Sequence, residues 1–309
     1  MEMREAFIGG LLEAMKKDDK IVVLDADLAN CIKSAPIHKA FPERAFNVGI
    51  AEQNMISIAA GLSSYGFKPF VSSFSPFATR RVCDQITLSC LYSKQNVKIV
   101  GTDPGISAEI NGGTHMGMED IGTLRSVDDI VIFEPVDEVQ LKAALPAIID
   151  YNGTMYIRLF RKTLENVFDE NSYKFDLFKA DVIQEGKDIT ICCSGIMVQE
   201  TMKANEILKS EGISAEIINV HTIKPIDSET IVNSAKKTGL VLTCENHEII
   251  GGLYSAVSEV LSKNYPTKMD AIGVPNCFGE VGKMPYLKEI YKMRAEDIVS
   301  KVKEMIKNK

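Results

Sequence analysis

From Lys20 onward, short β-branched runs alternate with longer stretches of helical period, a rhythm that restricts the chain to an α/β fold more firmly than any single residue does. KIVVLDADL, AFNVGI, PFVSSF, VKIVGT, DIVIFEP and TMYIRLF are the strands it predicts, several of them apolar throughout, as strands covered on both faces must be. Helices are expected at 3–16, 52–65, 77–92 and 137–150, and the second sets Met55, Ile58, Ala59 and Leu62 at i, i+3, i+4 and i+7. The pattern argues a mostly parallel sheet whose crossover helices cover its faces.

After Arg161 the pattern breaks. RKTLENVFDENSYKFDLFKADVIQEGKD is polar, rich in Asp and Asn, and longer than connections inside a domain usually run. The alternation resumes with DITICCSG, a helix at 197–210, ISAEIINVH, a helix at 227–237, GLVLTCEN, a helix at 253–264, MDAIGV and a last helix at 295–307. The expected organisation is therefore a larger α/β domain over 1–165, a linker over 166–186 and a smaller α/β domain over 187–309, in keeping with a length of 309 residues. No internal repeat and no low-complexity segment is present.

Charge and cysteine usage narrow the function classes. With 35 Lys+Arg against 42 Asp+Glu the formal net charge is -7, which offers no general attraction to nucleic acid or an anionic membrane. Seven cysteines, most in apolar runs and without paired C-x-x-C spacing, read as buried free thiols in a reducing compartment rather than as a zinc site. MEMREAF carries no apolar signal core and no apolar run approaches the ~18 residues of a membrane helix, so a cytoplasmic location is expected.

Candidate chemistry gathers at predicted strand ends, where open parallel sheets bind their ligands. Glu52 opens a helix two residues after Ile50, although an acid in a first turn also simply complements the helix dipole. Phe74 and Phe77 sit at the end of the next strand, at a spacing that puts both rings on one side of the turn, to stack on a flat heterocycle or to fill a core. His115 lies in DPGISAEINGGTHMGMED, whose glycines let the backbone approach a ligand, yet the stretch is neither a G-x-G-x-x-G nor a Walker loop nor a metal motif. Arg4 and Arg161 could fork onto a phosphate or carboxylate; Asp25 and Asp27 are turn acids or ligand contacts; His221 and His247 are assigned to structure.

Taken together, GIAEQNMISIAAGLSSYG, PFVSSFSPF and GGTHMGMEDIGTLR, in that order and at these intervals, resemble the pyrimidine-binding domain of transketolase. The second half looks like the transketolase C-terminal domain, and the likeness is greatest to the separately encoded C-terminal subunits of prokaryotes. The resemblance implies thiamine diphosphate as cofactor. Glu52 would hydrogen-bond the pyrimidine N1′ and share the proton that activates the thiazolium C2. Phe77 would stack on the pyrimidine with Phe74 beside it, Asp27 and Ile50 would lie near the cofactor, and His115 would face the sugar. Arg4 and Arg161 match two arginines on the substrate phosphate, which implies a phosphorylated sugar.

Three positions depart from the family's pattern. Cys31 stands where many members have a phosphate-binding serine, Asp103 where they have a histidine, and Asn111 where they have an aspartate that reads a substrate hydroxyl. An acid at 103 repels a phosphate dianion at close range, so either the phosphate pose differs or the sugar is unusual. The resemblance further implies that Mg2+ holds the diphosphate on a G-D-G motif followed by an asparagine, and the dipeptide Gly-Asp occurs nowhere in this chain. The chain is thus expected to carry half of each active site and no metal ligands of its own. It would pair with a separate N-terminal subunit, as an α2β2 assembly around a dimer of these chains, to transfer a two-carbon ketol unit from a ketose phosphate to an aldose. Two other readings stay open: a deoxyxylulose-phosphate-synthase-like or 2-oxoacid-dehydrogenase β-like chain acting on a 2-oxoacid, and a non-catalytic homologue.

Overall fold

The apolar runs of the first half become the strands of one sheet in a computed structural model that describes residues 1–309. Its elements are α1 (Met3–Met15), β1 (Ile21–Asp25), α2 (Ala35–Ala40), β2 (Ala45–Asn47), α3 (Glu52–Ser64), β3 (Lys68–Phe74), α4 (Cys83–Gln85), β4 (Lys98–Thr102), α5 (Asp120–Arg125), β5 (Val131–Phe133), α6 (Glu138–Asp150) and β6 (Met155–Leu159). The second half contributes β7 (Asp181–Gln184), β8 (Ile189–Cys193), α7 (Met197–Ser210), β9 (Ala215–Asn219), β10 (Thr222–Lys224), α8 (Ser228–Thr238), β11 (Leu240–Glu248), α9 (Leu253–Asn264), β12 (Lys268–Val274), α10 (Met284–Ile290) and α11 (Ala295–Lys307). No helix is long and apolar enough to cross a membrane.

The first sheet has seven strands in the order β10-β5-β6-β4-β3-β1-β2, the second five in the order β12-β11-β8-β9-β7. Both are parallel except at one edge, where β10 runs antiparallel to β5 and β7 antiparallel to β9. Register explains the continuous apolar runs. Leu24, Val71, Ile99, Tyr156 and Ile132 align across neighbouring strands and enter one core, while Val23, Phe70, Val100, Ile157 and Phe133 enter the other, because successive side chains point to opposite faces. That second core continues into the other sheet through Ile189, Ile191 and Leu242, with Val302 of α11 packed in the same cluster.

Four local features differ from the sequence reading. In α3 the buried stripe is Met55, Ile56, Ala59 and Ala60, whereas Ile58 stays 37% exposed, because the two alanines let the helix lie close on the sheet and turn Ile58 outward. The 77–92 stretch is not one regular helix: Phe77 and Ala78 donate to the Phe74 carbonyl as turns, then the chain passes through a 3-10 turn at Arg80–Val82 and α4 into a π-helix at Ile86–Tyr92. The wider π turn brings Ile86, Cys90 and Leu91 together in the core. Strand β10, which begins at Thr222 directly after the run ISAEIINVH, crosses over to cap the first sheet, and β7 forms within the stretch expected as a polar linker. Finally, all seven cysteines are unpaired, but Cys31 and Cys277 are exposed and Cys83 half-buried rather than buried.

A buried ion cluster joins the sheets. Arg158 on β6, with no exposed side-chain surface, donates to Asp120 at 2.8 Å, to Glu134 at 2.6 Å and to the Asn246 carbonyl of β11 at 2.6 Å. The Tyr156 hydroxyl adds a 2.6 Å bond to Asp120, and Ser194 a 2.7 Å bond to Glu134. Burial alone would raise the Asp120 carboxyl, yet the Arg158 guanidinium holds it below its ordinary range. His221 and His247, both pushed down to about 4 chiefly by burial, lie in the same junction, where the Gly122 N–H donates to the His247 ring at 3.2 Å. Replacing Arg158 by Leu strands two enclosed carboxylates; about 3–5 kcal/mol of stability is expected to be lost, read as a lower urea midpoint, and Arg158→Lys, which lacks the planar fork, should recover only part of it.

Candidate functional site at the carboxyl edge of the first sheet

Strands β1, β3, β4 and β6 end side by side, and the loops that leave them carry most of the candidate residues. Glu52 is the first residue of α3, yet its side chain turns inward and is only 4% exposed. Its carboxylate accepts a 2.7 Å hydrogen bond from Arg81, whose guanidinium lies 3.8 Å from the centre of the Phe77 ring. One planar, N–H-bearing cation therefore sits between the acid and the aromatic face. Nothing in the residue pattern singled out Arg81; the only sequence signal was an Arg-Arg pair in the turn that follows Phe77.

The rings continue the surface. Phe74 and Phe77 meet edge to face at 6.1 Å, and the His115 imidazole packs on both, at 5.6 Å from Phe74 and 5.2 Å from Phe77. His115 accepts or donates to the Thr114 hydroxyl at 2.9 Å through Nδ1. The glycine-rich loop reaches this place because Gly117 passes so near β3 that a Cβ there would lie 2.2 Å from Ser75 Oγ.

On the far side of Phe74 lies a charged group. The Arg161 guanidinium is 5.9 Å from the Phe74 ring, and its Nε is 3.2 Å from Oδ1 of Asp103, a fully buried residue held at a φ of 56°. Burial pushes the Asp103 carboxyl up; Arg161 and Arg4 pull it back, with a smaller lowering from Thr102 and a raising contribution from Glu109. Arg4, buried on α1, ion-pairs with Glu2 at 2.9 Å and donates to the Cys31 carbonyl. Asn246 of the second sheet clamps the loop after Asp103, donating to the Pro104 carbonyl at 3.0 Å and accepting from the Ile106 N–H at 2.9 Å. Gly105 is required there, since its φ is 56° and a Cβ would fall 2.3 Å from the Asn246 carbonyl oxygen.

The structure thus brings Glu52, Phe77, His115, Phe74, Arg161, Asp103 and Arg4 into one continuous run. Four candidates stand apart from it. Asp27, at a φ of 62°, exchanges hydrogen bonds with Asn47 at 3.0 and 3.1 Å. Ile50 is 78% exposed, Asn111 is exposed beyond the loop turn, and Cys31 meets the run through its carbonyl rather than its thiol. Asp25, left open between a turn acid and a ligand contact, is buried and bonded to His38 at 2.6 Å. A cavity of about 370 Å³ beside His115 is lined by Arg80, Met116, Glu119, Cys277 and Phe278. Another cavity, about 490 Å³, opens instead at the amino ends of β4, β5 and β6, around Gln95, Val131 and Thr154, away from these groups. No group of three His, Cys, Asp or Glu side chains is placed to hold a metal ion.

Comparison with known proteins matches both halves. Residues 1–166 match the model of the transketolase pyrimidine-binding domain, and residues 178–298 that of the transketolase C-terminal domain. The chain is 48% identical over 307 residues to a 6-deoxy-6-sulfo-D-fructose transketolase subunit of Clostridium sp. (strain MSTE9), covering 99% of this chain and 95% of that one. It is 41% identical over 307 residues to a putative transketolase C-terminal section of Methanocaldococcus jannaschii, covering 99% and 96%. Among solved structures it superposes on a split-gene transketolase in an inactive beta4 tetramer with a TM-score of 0.91, at 41% identity and 99% coverage of both chains.

Proposed function

The chain belongs to the transketolase family, and we propose that it supplies the pyrimidine side of a thiamine-diphosphate site whose other half is a separate N-terminal subunit. In that reading it moves a two-carbon ketol unit from a ketose with an anionic tail to an aldose acceptor. The observation that carries it is the slot between Glu52 and Phe77. A planar group that donates to the Glu52 carboxylate and stacks on the Phe77 ring already fits there, and an aminopyrimidine presents the same two features.

Within this reading Glu52 and Phe77 hold the pyrimidine, Phe74 backs it, and Asp27 and Ile50 lie at its margin. The bound cofactor supplies a carbon nucleophile that the protein's own side chains lack. Glu52, a buried acid, shares a proton with the ring nitrogen. His115, seated on both phenylalanines, faces the sugar, and Arg161 and Arg4 receive its anionic tail, with Asn111 and Cys31 further out. Mg2+ we assign to the partner, since this chain has no Gly-Asp pair. The relative that forms an inactive beta4 tetramer supports a chain that needs such a partner, in an α2β2 assembly around a dimer of these chains. The relative acting on 6-deoxy-6-sulfo-D-fructose supports a sugar with an acidic tail. We place the protein in cytoplasmic carbohydrate metabolism, with residues 1–165 and 187–309 as its two domains and 166–186 between them.

In the assembled complex Glu52→Gln should leave assembly and much of cofactor binding in place and lower ketol transfer by roughly 10²- to 10⁴-fold. Unchanged turnover would remove Glu52 from the mechanism, and carbon dioxide release from pyruvate in place of ketol transfer would overturn the reaction type. Because Arg81 occupies the slot, the cofactor must displace a partly exposed ion pair and a cation–π contact. Arg81→Ala is expected to tighten thiamine diphosphate binding by about 1 kcal/mol, or about fivefold, by calorimetry on the complex. Weaker binding would show that Arg81 helps to hold the cofactor instead.

A further inference from the structure

The charged end of the run carries more ligand capacity than the protein itself uses. Arg4 is buried, yet its Nε has no hydrogen-bond partner, and the same is true of Arg161 Nε and Asp103 Oδ1, which face each other at 3.2 Å without aligning as a hydrogen bond. Unpartnered donors enclosed beside an ion pair are costly unless a ligand completes them. The opening is through Arg161, whose side chain is 31% exposed and reaches the Phe74 ring, so a molecule seated on Phe74 and His115 would extend its far end onto this cluster.

The charges present decide what that far end can carry. Two guanidiniums converge, but one of their charges is cancelled by Asp103, which is wholly enclosed and therefore poorly screened. Glu2, a third exposed, further moderates Arg4 from the solvent side. A phosphate monoester carries a charge of about −1.5 to −2 near neutral pH, so its second charge would lie against the Asp103 carboxylate with no cation left to meet it. A sulfonate offers three acceptor oxygens with a single charge.

We propose that Asp103 is a specificity-determining residue, and that the Arg4–Asp103–Arg161 cluster selects a ketose whose tail is a monoanionic sulfonate over one whose tail is a phosphate dianion. The inference rests on the ketol-transfer reading above and specifies the substrate class for that same site. Asp103 acts by removing one positive charge from the subsite, and its enclosure by the Asn246-held loop keeps that carboxylate in place when the tail arrives.

The test uses the complex reconstituted with its partner chain, and three donors: a ketohexose with a C6 sulfonate, the same ketohexose with a C6 phosphate, and erythrulose, which has no tail anion. Transfer from erythrulose establishes the reaction independently of the tail. The native complex should then favour the sulfonate over the phosphate by at least about tenfold in kcat/KM, and Asp103→Asn, whose side chain tolerates the positive φ, should shift that ratio at least about tenfold toward phosphate. A native preference for phosphate, or a ratio unmoved by Asp103→Asn, overturns the proposal while leaving the reaction intact. Absence of transfer from all three donors overturns the reaction and the proposal together. If the variant does not fold, the native complex still decides. As pH falls from 8 to about 6, the phosphate monoester gains a proton and comes closer to the single charge of the sulfonate, so the phosphate-to-sulfonate ratio must rise. A ratio flat across that range counts against it.

Discussion

Two carboxylates, Asp120 and Glu134, lie enclosed between the sheets, and the guanidinium of Arg158 is what makes that enclosure tolerable. The three come from the start of α5, the end of β5 and the middle of β6, and the same guanidinium reaches across to the Asn246 carbonyl on β11. Buried ion pairs contribute little net stability compared with an apolar substitute, but they are costly to break and they fix geometry. Here the geometry fixed is the approach of the second sheet to the first. Through Asn246 it extends to the loop at 104–106, and so to Asp103, which explains how a residue of the smaller sheet comes to shape a site built on the larger one.

The site itself follows from parallel-strand topology. Strands β1, β2, β3, β4 and β6 deliver their carboxyl ends to one edge, so an acid, a pair of rings and Arg161, far apart in the chain, become neighbours of each other and of Arg4 on α1 without any local motif joining them. Along that edge the chemistry is graded. Glu52 and Arg81 form a polar slot closed by an aromatic face, the rings and His115 form an apolar platform, and Arg161, Asp103 and Arg4 form an ionic end. Such an order suits a ligand that is flat at one end and acidic at the other.

Much of this was legible from residue order. Strands buried on both faces announce themselves as unbroken apolar runs, and residue order alone places the residues after them at an edge. What escaped were features set by tertiary contacts. Arg81 meets Glu52 across 29 residues, and Arg158 meets Asn246 across 88, separations at which no spacing rule operates. The rotated face of α3 depends on how closely Ala59 and Ala60 let the helix approach, and the π turn at Ile86–Tyr92 on the need to bury Ile86, Cys90 and Leu91 together. Strand β10 is three residues long and pairs with a sheet formed by the other half of the chain, so its partner could not be read from its own sequence.

In the proposed function this polypeptide holds one side of an active site and a second polypeptide holds the other. Ketol transfer from erythrulose with thiamine diphosphate and Mg2+, measured on the isolated chain and on its stoichiometric mixture with a partner carrying a Gly-Asp-Gly motif, tests it most directly. Turnover in the mixture and none by the isolated chain is the predicted result. Turnover by the isolated chain would contradict it.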